Sequence, residues 1–251
     1  MIIFDELIRE KVDKLRLGMS LLGTQDAAYW TSWIITSQIL NVYMSSLMIC
    51  VGKYHDFPVF VNAPFWVWLA LLSLTTTAYL SIAFFCVTIA ETKAHGFAVN
   101  FTMILCSMLI NMVLSDPTTL RYIFFNLDLP RWYKNITYLF YFVPCFQFGK
   151  MFIDIVLVAC TIFSVDTFNW VPPERPFEYQ DIWKVEEGEL VTMEKYRIPH
   201  MVDTSKTLVY ITIFYSILAW YCDNVRPSNR GIAQPKLFFL TLSYWFPPYF
   251  K

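Results

Sequence analysis

The chain has 251 residues, of which 57% are hydrophobic, 19% aromatic and only 16% charged, with a net charge of −1. Soluble domains sit near roughly 45–50% apolar and about 25% charged, so this balance excludes a water-soluble globule and reads as an integral membrane protein. The near-zero charge excludes nucleic acid as a partner, and the apolar content excludes disorder.

Residues 1–23 are charged throughout, with no apolar core of a cleavable signal. Met1, Phe4, Ile8, Val12, Leu15, Met19 and Leu22 recur at steps of three and four, which predicts one amphipathic helix ending at Gly23. Arg9, Glu10, Lys11, Lys14 and Arg16 fall off that stripe. Such a helix either lies on the membrane interface or presses against a partner domain, and its shape leaves both open.

The expected transmembrane domain covers residues 24–246, followed by a tail at 247–251. Residues 27–51 carry no charge and open on Trp30 and Trp33, the aromatics of an interface belt. A second uncharged span is predicted at 64–90, starting at Pro64, and a third at 97–115, closed by Asp116-Pro117. Each exceeds or approaches the ~20 residues that cross a bilayer core.

Residues 135–165 are apolar but interrupted by Pro144 and by Lys150 and Asp154. Pieces this short fit a re-entrant helical hairpin; a single kinked fifth span is the alternative. Lys150 and Asp154 are four apart, so on a helix they share a face and pair. Asn41, Asn100 and Asn111 read as interhelical hydrogen-bond partners. Residues 166–206 are polar and read as an exposed connector, and 207–222 as the last span. The fold class is therefore all-α: a polytopic membrane protein with about four spans, a re-entrant hairpin and an N-terminal amphipathic helix. The distribution of Lys and Arg favours both termini inside.

No catalytic or metal set is legible. Gly18 to Gly23 has phosphate-loop spacing, but Thr24 and Gln25 follow where Lys and Ser or Thr are needed. The six cysteines form no CxxC pair and read as apolar residues. Asn135-Ile136-Thr137 fits a glycosylation sequon inside an apolar segment, where it is expected to stay bare.

Two blocks carry a resemblance. The first runs from Arg9 through Arg16, then Leu21-Leu22-Gly23 and Ala28-Tyr29-Trp30-Thr31-Ser32-Trp33. The second is Trp220-Tyr221-Cys222-Asp223-Asn224-Val225-Arg226-Pro227, with Gly231-Ile232, Pro235, Phe238-Phe239 and Ser243-Tyr244-Trp245-Phe246. Together they resemble the transmembrane domain of the A subfamily of ABC transporters, a lipid-exporter-like branch. The resemblance implies a type II exporter fold, a hairpin entering from the non-cytosolic side, and residues 1–23 as a coupling helix resting on an ATPase domain through Arg9, Glu10, Lys11, Lys14 and Arg16. It departs from the family pattern at Leu22-Gly23, where Met-Gly is usual, and at Pro227-Ser228-Asn229-Arg230-Gly231. The family's first span, extracellular domain and nucleotide-binding domain have no counterpart here.

Two functional readings follow. The chain is a non-catalytic subunit held among other membrane subunits, in a respiratory or ATP-synthase-like complex of, for example, the mitochondrial inner membrane. Alternatively it is the membrane part of an ATP-driven lipid transporter. On either reading this chain holds no cofactor of its own, ATP enters only through a nucleotide-binding partner, and lipids bind its surface. An enzyme acting within the membrane is the weakest reading, for want of an acid–base or metal set.

Overall fold

A computed structural model describes residues 2–90, 92–114, 117–164, 169–171, 173, 175–189, 195–226 and 235–241. The tail at 247–251 and the stretches 227–234 and 242–246 of the second motif block lie outside the described residues.

The amphipathic segment is two helices, α1 (Ile2–Val12) and α2 (Leu15–Leu21), where the sequence predicts one. The break falls at Lys14, whose φ of 57° is left-handed and ends the first helix. Of the stripe, Phe4 and Ile8 are buried and Val12 and Met19 pack against the same core, whereas Leu15 and Leu22 are exposed.

Among the described residues four helices are long and apolar enough to cross a membrane: α3 (Asp26–Tyr54), α5 (Phe65–Ile89), α6 (Lys93–Leu114) and α10 (Met201–Val225). A one-turn helix, α4 (Pro58–Val61), joins α3 to α5. Two spans begin earlier than the charge-free runs suggest. At α6 the Thr92 hydroxyl accepts the His95 amide at 3.1 Å, which supports the start of the helix. At α10 Lys206 pairs with Asp203 at 2.9 Å on the adjacent turn, so both charges stay on an extended helix.

Between α6 and α10 come α7 (Pro117–Phe124), α8 (Arg131–Phe140) and α9 (Pro144–Ala159). Helices α8 and α9 meet at 95°. Contacts set the depth of this hairpin. At its tip Cys145 donates to the Ser107 carbonyl halfway along α6, and Phe142 stacks edge-on with Phe214 halfway along α10. At its far end the Ala159 carbonyl accepts from Asn62, just before α5 begins. The bent pair has the form of either a re-entrant element or a broken span. Its broken backbone is satisfied internally: Phe142, Val143 and Phe146 amides donate to carbonyls three residues back, and the buried Gln147 amide donates to the Tyr141 carbonyl at 2.9 Å.

The helical part of the hairpin stops at Ala159, because β1 (Ile162–Ser164) pairs antiparallel with β2 (Asn169–Val171). The segment read as an exposed connector is ordered over much of its length. A 3₁₀ turn covers Tyr179–Trp183, and β3 (Glu186–Glu189) pairs antiparallel with β4 (Lys195–Ile198). Phe177 and Ile198 are buried, and Arg121 on α7 grips Glu186 at 2.5 Å, which pins the connector to the outer end of the helices.

One core joins α5, α9 and α10 through Trp68, Leu71, Met151, Ile155, Leu208 and Ile211. A second, at the opposite end, joins α1 to α3, α5 and α10 through Phe4, Leu7, Ile8, Tyr29, Phe84 and Ala219. Outward apolar residues such as Ile39, Met44, Phe101, Met112 and Phe214 remain exposed, as a lipid-facing surface requires.

Candidate functional site

The N-terminal helices converge with the start of α3, the end of α5, the start of α6 and the end of α10, and nearly all the fixed charge of that end of the molecule gathers there. Lys11 turns inward. Its ammonium donates to the carbonyls of Val87, Thr88 and Ala90 at 2.7, 3.0 and 2.8 Å. The Arg226 guanidinium donates to the Ile89 carbonyl at 2.9 Å, and the Ala90 amide donates to the Cys86 carbonyl. A helix leaves its last four carbonyls without intrahelical partners and concentrates negative charge there, so cations are the fitting caps. Here two cations from opposite ends of the chain complete the C-terminus of α5.

Arg16 makes the second anchor. Its guanidinium forms two parallel hydrogen bonds to the Asp223 carboxylate, at 2.8 and 2.7 Å, and lies about 5.0 Å above the Tyr29 ring and 4.9 Å above that of Trp30. Planar bidentate pairing and stacking together are what Arg offers and Lys does not. Glu10 makes a third anchor, accepting from the Tyr29 hydroxyl at 2.8 Å and the Trp33 indole at 3.2 Å. Asp13 reaches Lys93 at 2.9 Å.

The five charges singled out in the sequence thus divide. Glu10, Lys11 and Arg16 face the membrane helices and fasten α1 and α2 to them. Arg9 and Lys14 are exposed, Arg9 pairing one turn back with Glu6 at 3.3 Å and Lys14 standing at the edge of a small cavity shared with Lys11, Arg16 and Asp223. The exposed Arg9 and Lys14 with the apolar Leu15, Leu21 and Leu22 beside them make a mixed, accessible surface on a helix pair that is itself bolted down. Asp223 and Arg226 were not singled out for chemistry, although both lie in the second motif block; their partners are far away in the chain and no local spacing reveals them.

Lys150 and Asp154 meet at 2.6 Å, and Lys150 also donates to the Pro199 carbonyl at 2.6 Å, tying α9 to the start of α10. The lysine side chain is 1% exposed. Asn41 links α3 to α5 by donating to the Ser73 carbonyl at 3.2 Å and accepting from Thr76. Asn111 links α6 to α9 through Cys145 at 3.2 Å, and Asn100 reaches Asp5 of α1 at 3.4 Å. Among the described residues no group of three or more His, Cys, Asp or Glu could hold a metal ion. A groove of about 420 Å³ opens between α5 and α6, lined by Thr76, Tyr79, Cys86, Asn100, Ser107 and Asn111 among apolar side chains.

Comparison with known proteins identifies a family. The family described as "ABC-2 family transporter protein" matches residues 1–222. ABC transporter A family member 1 of Dictyostelium discoideum is 27% identical over 94% of this chain and 26% of its own length. ABC transporter A family member 11 of Arabidopsis thaliana is 22% identical over 95% of this chain and 23% of its own length. The rat protein named cholesterol transporter ABCA5 is 22% identical over 95% of this chain and 12% of its own length. The chain thus spans about a quarter or less of the relatives it matches. All three are named as transporters, and nothing in these comparisons supports a respiratory or ATP-synthase-like complex.

Proposed function

The chain belongs to the ABC-2 family of transporter proteins, and from that premise we propose that it is the membrane-spanning part of an ATP-driven lipid transporter. The observation that supports this reading most is the division of labour across α1 and α2. Lys11 and Arg16 are fixed to the ends of α5 and α10, while Arg9 and Lys14 stay exposed. A domain that binds and hydrolyses ATP against those exposed residues could move the spans without touching the lipid. The nucleotide-binding domain is carried by another chain or by the remainder of a longer polypeptide. The substrate class is lipid, in keeping with the sterol named for the rat relative and with the exposed apolar faces of α3, α6 and α10.

The test places a photo-reactive p-benzoylphenylalanine at position 9 or 14 in cells that express the protein natively. The expected adduct is a polypeptide that an azido-ATP analogue also labels, and excess ATP should suppress that labelling. Adducts confined to lipid at both positions would contradict the reading.

A further inference from the structure

We infer that Lys11 is the positioning residue that carries displacement of α1 to the α5–α10 pair, with Arg16 as its second grip. The inference rests on the transporter reading and deepens it, because it names the side chains through which the coupling acts.

Phe4, Leu7, Ile8 and Lys11 follow one another at steps of three, one and three, so they share one face of α1, and the three apolar members are buried on the spans. Apolar packing of this kind resists separation but has no direction, and a helix held by it alone can slide. The Lys11 contact is directional. The ammonium reaches three carbonyls, those of Val87, Thr88 and Ala90, all in the last turn and cap of α5. A push on α1 therefore meets α5 end-on, through charge–dipole attraction as well as contact. Arg226 closes the same cap from α10 through Ile89, and Arg16 holds α10 independently through Asp223. Helices α5 and α10 also share the main apolar core along their length, so moving the end of one moves both. Arg9, by contrast, is exposed and pairs with Glu6 on its own helix.

The test uses the complete transporter, with its nucleotide-binding domain, in proteoliposomes, and reads the ratio of lipid moved to ATP hydrolysed. K11M keeps the length of the side chain, and its thermal midpoint shows whether it folds as wild type does. The expected result is hydrolysis close to wild type with the flux-to-hydrolysis ratio down on the order of tenfold, the scale of a typical coupling between sites. R16K, which keeps the charge but gives up the bidentate grip, should lower the ratio by a smaller factor at a thermal midpoint near that of wild type. A wild-type ratio in both variants would overturn the inference. So would an equal loss of flux and hydrolysis in both, which would make the two residues structural only. Wild-type protein whose lipid movement ignores ATP would instead overturn the transporter reading beneath it.

Discussion

Arg16 and Asp223 stand 207 positions apart in the chain and meet as a two-pronged ion pair, 2.8 and 2.7 Å long, with both side chains less than one-fifth exposed. The pair closes the chain on itself, so that the N-terminal helices and the end of the last span act as one body. Removal of either partner leaves a largely buried charge, and a double-mutant cycle with Arg16→Ala and Asp223→Ala should give a coupling of about 1–3 kcal/mol. Unfolding by SDS titration in mixed micelles measures it. Additive single effects would mean that the contact contributes nothing.

Lys150 is the most deeply buried cation described. Lys150→Met strands the Asp154 carboxylate and should cost about 3–5 kcal/mol, whereas replacing both with Lys150→Met and Asp154→Leu should recover most of that loss. The same titration compares the two. A double variant no better than the single one would show that the Pro199 contact, not the ion pair, is what Lys150 contributes.

Gln147 was not legible as important, and its reason is geometric. A polar residue three places after Pro144 looks like an interruption of an apolar segment, yet its amide satisfies the Tyr141 carbonyl where the hairpin bends. Gln147→Leu should expose that carbonyl to an apolar environment and cost about 1–3 kcal/mol. Faster amide exchange confined to residues 138–147 should accompany it; unchanged exchange there would argue against the bend being held by this side chain.

The four spans were legible because length and dryness alone define them. The break before Pro144 was legible too, but the one at Lys14 was not. The helix split at Lys14 falls between the anchors on Lys11 and Arg16, and neither anchor has a local signature. The same holds for the connector, whose acidic run reads as solvated until Arg121 and β4 are seen to hold it. Lys11 and Arg9 look alike in the sequence, and only the carbonyls of α5 distinguish an inward cation from an outward one.

Asp181 gives the connector a pH limit. Its burial raises the carboxyl pKa, but hydrogen bonds from Arg175, Lys184 and the Glu178 amide outweigh burial and hold it at about 2. A carboxylate whose folded pKa lies below its ordinary value of 3.8 stabilises fully above that value, and the contribution fades as pH falls toward 2. Hydrogen exchange over residues 177–185, corrected for the intrinsic pH effect, should therefore rise below pH 4 and stay flat from there to neutrality. Asp181→Asn should show the raised exchange already at neutral pH. Exchange in the variant that matches wild type at every pH would remove Asp181 from this role.

ATP-driven movement of lipid tests the central claim most directly. The complete transporter, reconstituted with a fluorescent sterol or phospholipid analogue in one leaflet, is given ATP and magnesium, and dithionite quenching reports which leaflet holds the label. Transfer that needs hydrolysable ATP and stops with a non-hydrolysable analogue is the predicted result. Transfer at the rate of protein-free vesicles, while the protein hydrolyses ATP normally, would contradict it.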